Sequence, residues 1–387
     1  MIPLTTYTMP VQTPKKAIQQ RLKPDGALTE DVTTIDCTLS DGTKTSCYRI
    51  SIAGKPSTMD EGPYCPPTIT SDTNSAGSWF GKNGEMIAVD GPWIKNLSEY
   101  YNDPAWEMYN PDTGAVYVET GVRGCEITSN PNPPDDLENP SFCLECYISD
   151  MPDGAVKQTM LIPVTPTKAA EPLAINSSIG FALNGVLLEK AAPLDLILST
   201  HSLGMLDDCG AHANPKTGYH YHAVTDCVEI GVQEDDHAAM IGIALDGFSI
   251  YAHTNASGTG PGELDECDGQ TDDTRGYHYH AKPGGFNQFI SCFSGLTGQF
   301  EGDLGNSGGR TGGGGGGGAP DFTPTATALS ENTGRTISAK DISDQLGSDG
   351  PSDCDDIINA ATANGVTAEE LVSAGFPVPP KLTCDFM

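Results

Sequence analysis

Apolar positions along most of this chain recur in short alternating runs rather than at helical spacing. Stretches such as "AVYVETGV" and "QTMLIPVTP" are β-branched and brief, and Gly, Pro, Asn and Asp clusters close them off. That pattern predicts strands joined by turns over residues 26–165. Residues 1–25 form a Thr- and Pro-rich arm with apolar side chains at Ile2, Leu4, Tyr7, Met9 and Val11, the pattern of a lone extended strand. "GNSGGRTGGGGGGGAP" opens a flexible linker over 305–322. Beyond it, residues 323–387 predict a small helical unit. Ser338 with Asp341, Ser352 with Asp355 and Thr367 with Glu370 have capping-box spacing, and Gly347, Gly365 and Gly375 are helix stops. The expected fold is mainly β: antiparallel β-rich domains over 26–165 and 166–304, followed by the helical C-terminal unit.

Residues 166–304 contain a duplication. "GFALNGVLL" from Gly180 matches "GIALDGFSI" from Gly242, each an apolar strand broken by a dipeptide that favours a tight hairpin. Each copy continues with Leu-Asp-acid-Cys, an eight-residue spacer, the hexapeptide GYHYHA and a closing cysteine. Two copies of one supersecondary unit predict packing about a pseudo-twofold axis.

Alternate side chains of a strand share a face. His220 and His222 therefore point opposite to Tyr219 and Tyr221, and His278 and His280 opposite to Tyr277 and Tyr279. If the axis brings the pairs together, four imidazoles reach one ion, a donor set suited to Zn²⁺ or Cu²⁺. The pairs can also sit apart, each acting locally, or form a metal-free ladder of Tyr and His hydrogen bonds. All eight histidines fall between His201 and His280, and His212 is a further candidate ligand.

Charge adds a second candidate chemistry. With 52 acidic and 20 basic side chains the formal net charge is −32, which gives no reason to seek nucleic acid. Divalent cations relieve such self-repulsion, so Ca²⁺ is expected, with Asp208, Asp265 and Asp268 as carboxylate candidates in the two spacers. A solvated acidic turn is the plainer reading. No GxSxG elbow joins a strand to a helix, the one such pattern (Gly305–Gly309) lying in the glycine-rich linker, and no phosphate-cradling lysine motif occurs.

Twelve cysteines, with one CxxC at Cys143–Cys146, fit six disulfides in an oxidising compartment better than a zinc ribbon. Neighbouring positions suggest Cys37–Cys47, Cys209–Cys227, Cys267–Cys292 and Cys354–Cys384, and leave the pairing of Cys65, Cys125, Cys143 and Cys146 open. Sequons at Asn96, Asn176 and Asn255 are candidate glycosylation sites. No stretch has the length of a transmembrane helix, and "MIPLTTYTMPVQTPKKAIQQ" has no apolar core of a signal peptide. The expected location is extracellular, with any signal removed or the native start missing.

Several spaced motifs together resemble the YHYH proteins, a family named for this tetrapeptide: "GFALNGV", "DDCGAH", "YHYHA", "IALDGFSIY", "LDEC" and the second "YHYHA" before "FISCF". Upstream, "CTLSDGTKTSCYRISIAG", "GPYCPPTI", "EMYNPDTGAVYVET" and "CLECYISD" resemble the N-terminal part of long members, so the likeness spans about residues 35–300. "DGFSIYA" stands where the family more usually has "DGFPIYG", which predicts a looser turn after Asp246. The resemblance implies a secreted, disulfide-bonded, β-rich protein and no reaction.

Two functional readings follow from the residues. In the first, the chain is an extracellular structural subunit of a filament or surface layer. Its N-terminal arm adds to the sheet edge of the next copy, and the histidines bind metal. In the alternative it is a secreted metalloenzyme or metal-binding protein that uses the paired HxH motifs.

Overall fold

The computed structural model describes residues 27–54, 60–128, 139, 141–151, 155–228, 235–301, 329 and 354–373. The expected arm, the linker and Cys384, with the Cys354–Cys384 bond, lie outside the described residues. The chain divides into two units, Met1–Gly315 and Gly316–Met387. The protein is mostly β, with few helices.

The duplicated region builds one eight-stranded sheet. Its strands are β1 (Gly180–Ala182), β2 (Leu187–Leu188), β3 (Ala211–Asn214), β4 (Gly218–Tyr221), β5 (Met240–Ala244), β6 (Ser249–Tyr251), β7 (Gly269–Asp272) and β8 (Gly276–His280). Their spatial order is β3-β4-β2-β1-β5-β6-β8-β7. The first four strands belong to one copy and the last four to the other, in mirrored order. At the centre β1 runs antiparallel to β5, with Phe181 opposite Ile243 and Gly180 opposite Ala244. Phe181 and Ile243 occupy the same place in the two copies, so the pseudo-twofold axis passes between them.

Local chemistry explains each strand's ends. Asn184-Gly185 and Asp246-Gly247 make the β1–β2 and β5–β6 turns, with Gly185 and Gly247 at φ +80° and +88°. An L side chain rarely adopts that conformation. In the β3–β4 hairpin Asn214 Oδ1 accepts the Lys216 and Thr217 N–H groups, both at 2.8 Å. Asp272 does the same for Thr274 and Arg275 at 2.8 and 2.6 Å. These turns leave the leading glycines of the two hexapeptides, Gly218 and Gly276, at φ +74° and +68°. The glycine of GYHYHA is therefore a turn residue, and the alternating Tyr-His strand begins immediately after it.

The expected boundary between residues 165 and 166 separates nothing compact. Lys44–Ile52 pairs with Thr33–Thr38 and Gln158–Pro163, and the last of these pairs with Gln299–Glu301 from the far end of the unit. Ser202–Gly204 runs parallel to Phe142–Leu144, which in turn pairs with Val118–Glu119. One buried cluster holds Tyr48, Ile50 and Met160 together with Phe181, Leu187, Ile243 and Ile250. Strand edges from both halves complete each other across that boundary.

Short helices interrupt the first unit at Gly91–Lys95, Leu97–Tyr101 and Gly121–Thr128, within the stretch to 165 where alternating strands were expected, and again at Leu194–Ser199. Asp90 starts the first of them by accepting Trp93 N–H at 2.7 Å, with Pro92 in the first turn. In the second unit Cys354–Ala363 and Ala368–Ser373 are helical. Thr367 and Glu370 cap each other reciprocally at 2.8 and 3.1 Å, and Gly365 ends the preceding helix at φ +66°.

Among the described residues five disulfides join Cys37–Cys47, Cys65–Cys143, Cys125–Cys146, Cys209–Cys227 and Cys267–Cys292. The last two close the spacer and hexapeptide of each copy into a loop. Among the described residues no helix is long and apolar enough to cross a membrane.

Candidate metal centres

The tyrosines of each hexapeptide lock the strand from one side. Tyr219 donates to Asp207 Oδ2 at 2.7 Å, and its counterpart Tyr277 donates to Asp265 Oδ2 at 2.9 Å. Tyr221 accepts from Asn184 Nδ2 at 2.9 Å, and Tyr279 donates to Asp246. Asn184 and Asp246 are the hairpin residues of the two copies. The second tyrosine thus ties β4 or β8 to the turn of its own repeat. Asp207 and Asp265 also receive the backbone N–H groups of Cys209 and Cys267 at 2.9 and 3.0 Å.

The histidines occupy the opposite face. Among the described residues, two groups of metal-ligating side chains bring their donor atoms within 4.8 Å of one another: His212, His220 and His222, and His237, His278 and His280. His220, His222, His278 and His280 are all at most 5% exposed, while His212 and His237 are half-buried. In the first group Nε2 of His222 lies 3.1 Å from that of His220 and 3.2 Å from that of His212. In the second, the Nε2 atoms of His237 and His278 are 3.0 Å apart.

Two centres stand where one shared ion was expected. β4 and β8 are separated by β2, β1, β5 and β6. Five strand spacings place the two pairs about 24 Å apart. The axis relates the pairs by adding the copies edge to edge through β1 and β5, so it does not bring them face to face.

Backbone carbonyls fix the proton on five of the six rings. Nδ1 of His220 donates to Gly218 O at 2.8 Å, His222 to Lys190 O at 3.0 Å, and His278 to Gly276 O at 2.9 Å. His280 donates to Ala252 O at 2.9 Å and His237 to Ala238 O at 2.8 Å. A carbonyl can only accept, so these rings carry their proton on Nδ1 and turn a bare Nε2 lone pair toward their neighbours. Such outer partners are what orients imidazole ligands around an ion.

Burial also disfavours a second proton on five of the six rings. Burial holds His212 down at about 3 and His220 at about 4, and it holds His222 well below the ordinary imidazole value. Burial also lowers His278, and holds His280 at about 4. Burial moves Asp207 and Asp246 the other way, up to about 6.

These shifts set a pH dependence with opposing parts. The lowered imidazoles stabilise the fold above pH 6.5, and that contribution is lost as pH falls toward 4. The raised carboxylates favour the fold at low pH and lose that contribution as pH rises from about 4 to 6. Burial raises Glu189 as well, and five imidazoles outweigh the three carboxylates. Thermal unfolding of the chelated protein should therefore show a midpoint that falls steadily from pH 6.5 to 4.5, and a flat or rising profile would contradict the buried neutral triads.

The acidic candidates join neither group. Asp208 is exposed. Asp265 spends its oxygens on the Cys267 and Gly269 N–H groups and on Tyr277. Asp268 sits at φ +68°, the place Gly210 takes in the first copy, and holds Lys282 at 2.6 Å and Ser291 N–H at 2.7 Å. Turn formation and ion pairing use the carboxylates of Asp265 and Asp268. Of the sequons, Asn96 and Asn176 are exposed, whereas Asn255 donates to Asp236 O at 2.8 Å and accepts three bonds from its own loop.

Two residues of the second centre escape a reading of the motifs alone. His237 lies five positions before the repeat begins at Gly242 and has no histidine counterpart in the first copy. Gln270 stands three residues after Cys267, as His212 stands three after Cys209. The equal spacing marks that exchange, and strand register confirms it: His212 pairs with His220, and Gln270 with His278.

Residues 159–261 match the family model described as YHYH protein. The YHYH segment covers 103 of the chain's 387 residues, counted from its two ends. It includes the whole first triad and His237, and ends before β7 and β8. No curated protein and no solved structure matches the chain.

Proposed function

We propose that this chain is an extracellular metal-binding protein that holds one transition-metal ion, Zn²⁺ or Cu²⁺, at each of two three-histidine centres. The observation that carries this reading is the confrontation of bare Nε2 atoms at 3.0–3.1 Å, His220 against His222 and His237 against His278, with the ring protons of all four committed to backbone carbonyls. Lone pairs so placed repel unless a cation lies between them. Ligands of a tetrahedral Zn²⁺ are about 3.3 Å apart, given Zn–N bonds of 2.0–2.1 Å. An all-nitrogen donor set favours such an ion over Ca²⁺, which takes oxygen. The protein's own part is to hold the imidazoles neutral, fix their tautomers and exclude water from one side of each centre.

Five disulfides among the described residues support the extracellular placement, since such bonds persist in oxidising compartments. Assembly by arm exchange rests on residues 1–25, outside the described residues, and draws no support from the geometry of the centres.

Elemental analysis of the purified full chain tests the metal reading. Wild type should carry two ions of zinc or copper, His220→Ala one, and the His220→Ala/His278→Ala double variant none. Equal and negligible metal in all three would overturn it and leave a hydrogen-bonded ladder.

A further inference from the structure

The two centres have different fourth positions, and we infer that Gln270 makes the second a closed, four-ligand site while the first keeps a position open to an exogenous ligand. The inference rests on the two-centre reading and goes beyond it. In the first centre the edge strand β3 contributes His212, a third imidazole whose Nε2 faces the other two. In the second, the edge strand β7 puts Gln270 at that register position, and the third imidazole comes from His237 outside the hairpin.

The amide of Gln270 sits at the hub of its centre. Its Nε2 lies 2.7 Å from His280 Nε2, 3.3 Å from His278 Nε2 and 3.4 Å from His237 Nε2. An amide NH₂ has two protons, so it satisfies at most two of these three lone pairs. The 3.0 Å contact between His237 and His278 keeps its two acceptors face to face. With no cation present, the nitrogen end of the amide must face the imidazoles. With a cation between them, a half-turn about the last side-chain torsion presents Oε1, an acceptor, from nearly the same place. The amide O and N are almost the same size, so the exchange needs no movement of β7. No bond in the protein is made or broken, and only the ion's coordination changes.

Tyr251 and Arg275 wall the second centre on another side. The Tyr251 ring packs 4.8 Å from that of His237 and 4.9 Å from that of His278, and Arg275 lies over Tyr251, bonded to Asp235 and Asp272. The corresponding positions in the first copy are Glu189 and Thr217. Glu189 is turned to Ser178 at 2.6 Å, and Thr217 bonds Nδ1 of His220 at 3.0 Å, on the side away from its Nε2. The first centre therefore has three imidazoles and no fourth donor from these corresponding positions, which leaves one coordination position of a tetrahedral ion to water or a small anion.

Cobalt substitution of the full chain, with azide as the probe, reads the difference. Wild type should take up two Co²⁺, and azide should shift the visible bands of one. Gln270→Ala should still bind two, with azide now shifting both. Gln270→Glu keeps an oxygen ligand and should restore the wild-type response. His212→Ala should abolish the azide-sensitive bands, and His237→Ala the silent ones. If two Co²⁺ bind and azide shifts both in wild type, or Gln270→Ala responds as wild type does, the closed site is refuted while the two centres stand. If wild type binds no Co²⁺, both readings fail together.

Discussion

Stripping the ions from the native protein should lower its unfolding midpoint by roughly 10–20 °C. An ion that binds the folded state alone stabilises it by about 2.7 kcal/mol when present at a hundredfold over its dissociation constant. Two independent centres, about 24 Å apart by strand count, contribute nearly additively. For a domain of this size each kcal/mol moves the midpoint by about 2–4 °C. Calorimetry of the oxidised protein with excess Zn²⁺ and then with a chelator measures the difference. The His220→Ala/His278→Ala variant should show the same midpoint under both conditions. A wild-type midpoint that ignores both metal and chelator would mean the triads are structural ladders.

How much of this was legible in the sequence depends on how local each feature is. Alternation in GYHYHA placed the tyrosines and histidines on opposite faces, because strand period alone decides that. The glycines, turn dipeptides and Leu-Asp-acid-Cys repeats gave the copies and their axis. What local pattern does not carry is the partner across space. One shared ion was expected because four histidines suffice for one site, yet the axis runs through Phe181 and Ile243 and joins the copies at β1–β5, which sends the hexapeptides to opposite ends of the sheet. His237 reaches its centre from a loop, with no repeat counterpart to flag it. Cys65–Cys143 spans 78 residues and Cys125–Cys146 interleaves with it, so neither follows from proximity. The acidic spacers attracted a Ca²⁺ reading on charge alone, whereas Asp265 serves its own turn and Asp268 an ion pair with Lys282.

Phe181→Ala should be the most damaging single change in the sheet, and it should weaken both metal centres together. Phe181 is fully buried and lies beside the pseudo-twofold axis, opposite Ile243. Emptying such a site costs about 3–5 kcal/mol when the surroundings cannot collapse. Collapse is obstructed here because the backbones already touch. A Cβ added to Gly180 would lie 2.0 Å from Ile243 O, and one added to Gly242 would lie 2.6 Å from Phe181 O, so the two central strands have no closer approach available. β4 and β8 are each tied to this centre through one intervening pair of strands, β2 and β1 on one side and β6 and β5 on the other. Loosening β1 against β5 therefore loosens both ligand strands, whereas His212→Ala acts at one edge and spares the far centre. The denaturant midpoint of Phe181→Ala, together with zinc affinities for each centre in Phe181→Ala and His212→Ala, separates these outcomes. Loss confined to one centre in Phe181→Ala would mean that each hairpin and its disulfide hold the ligands without help from the shared sheet.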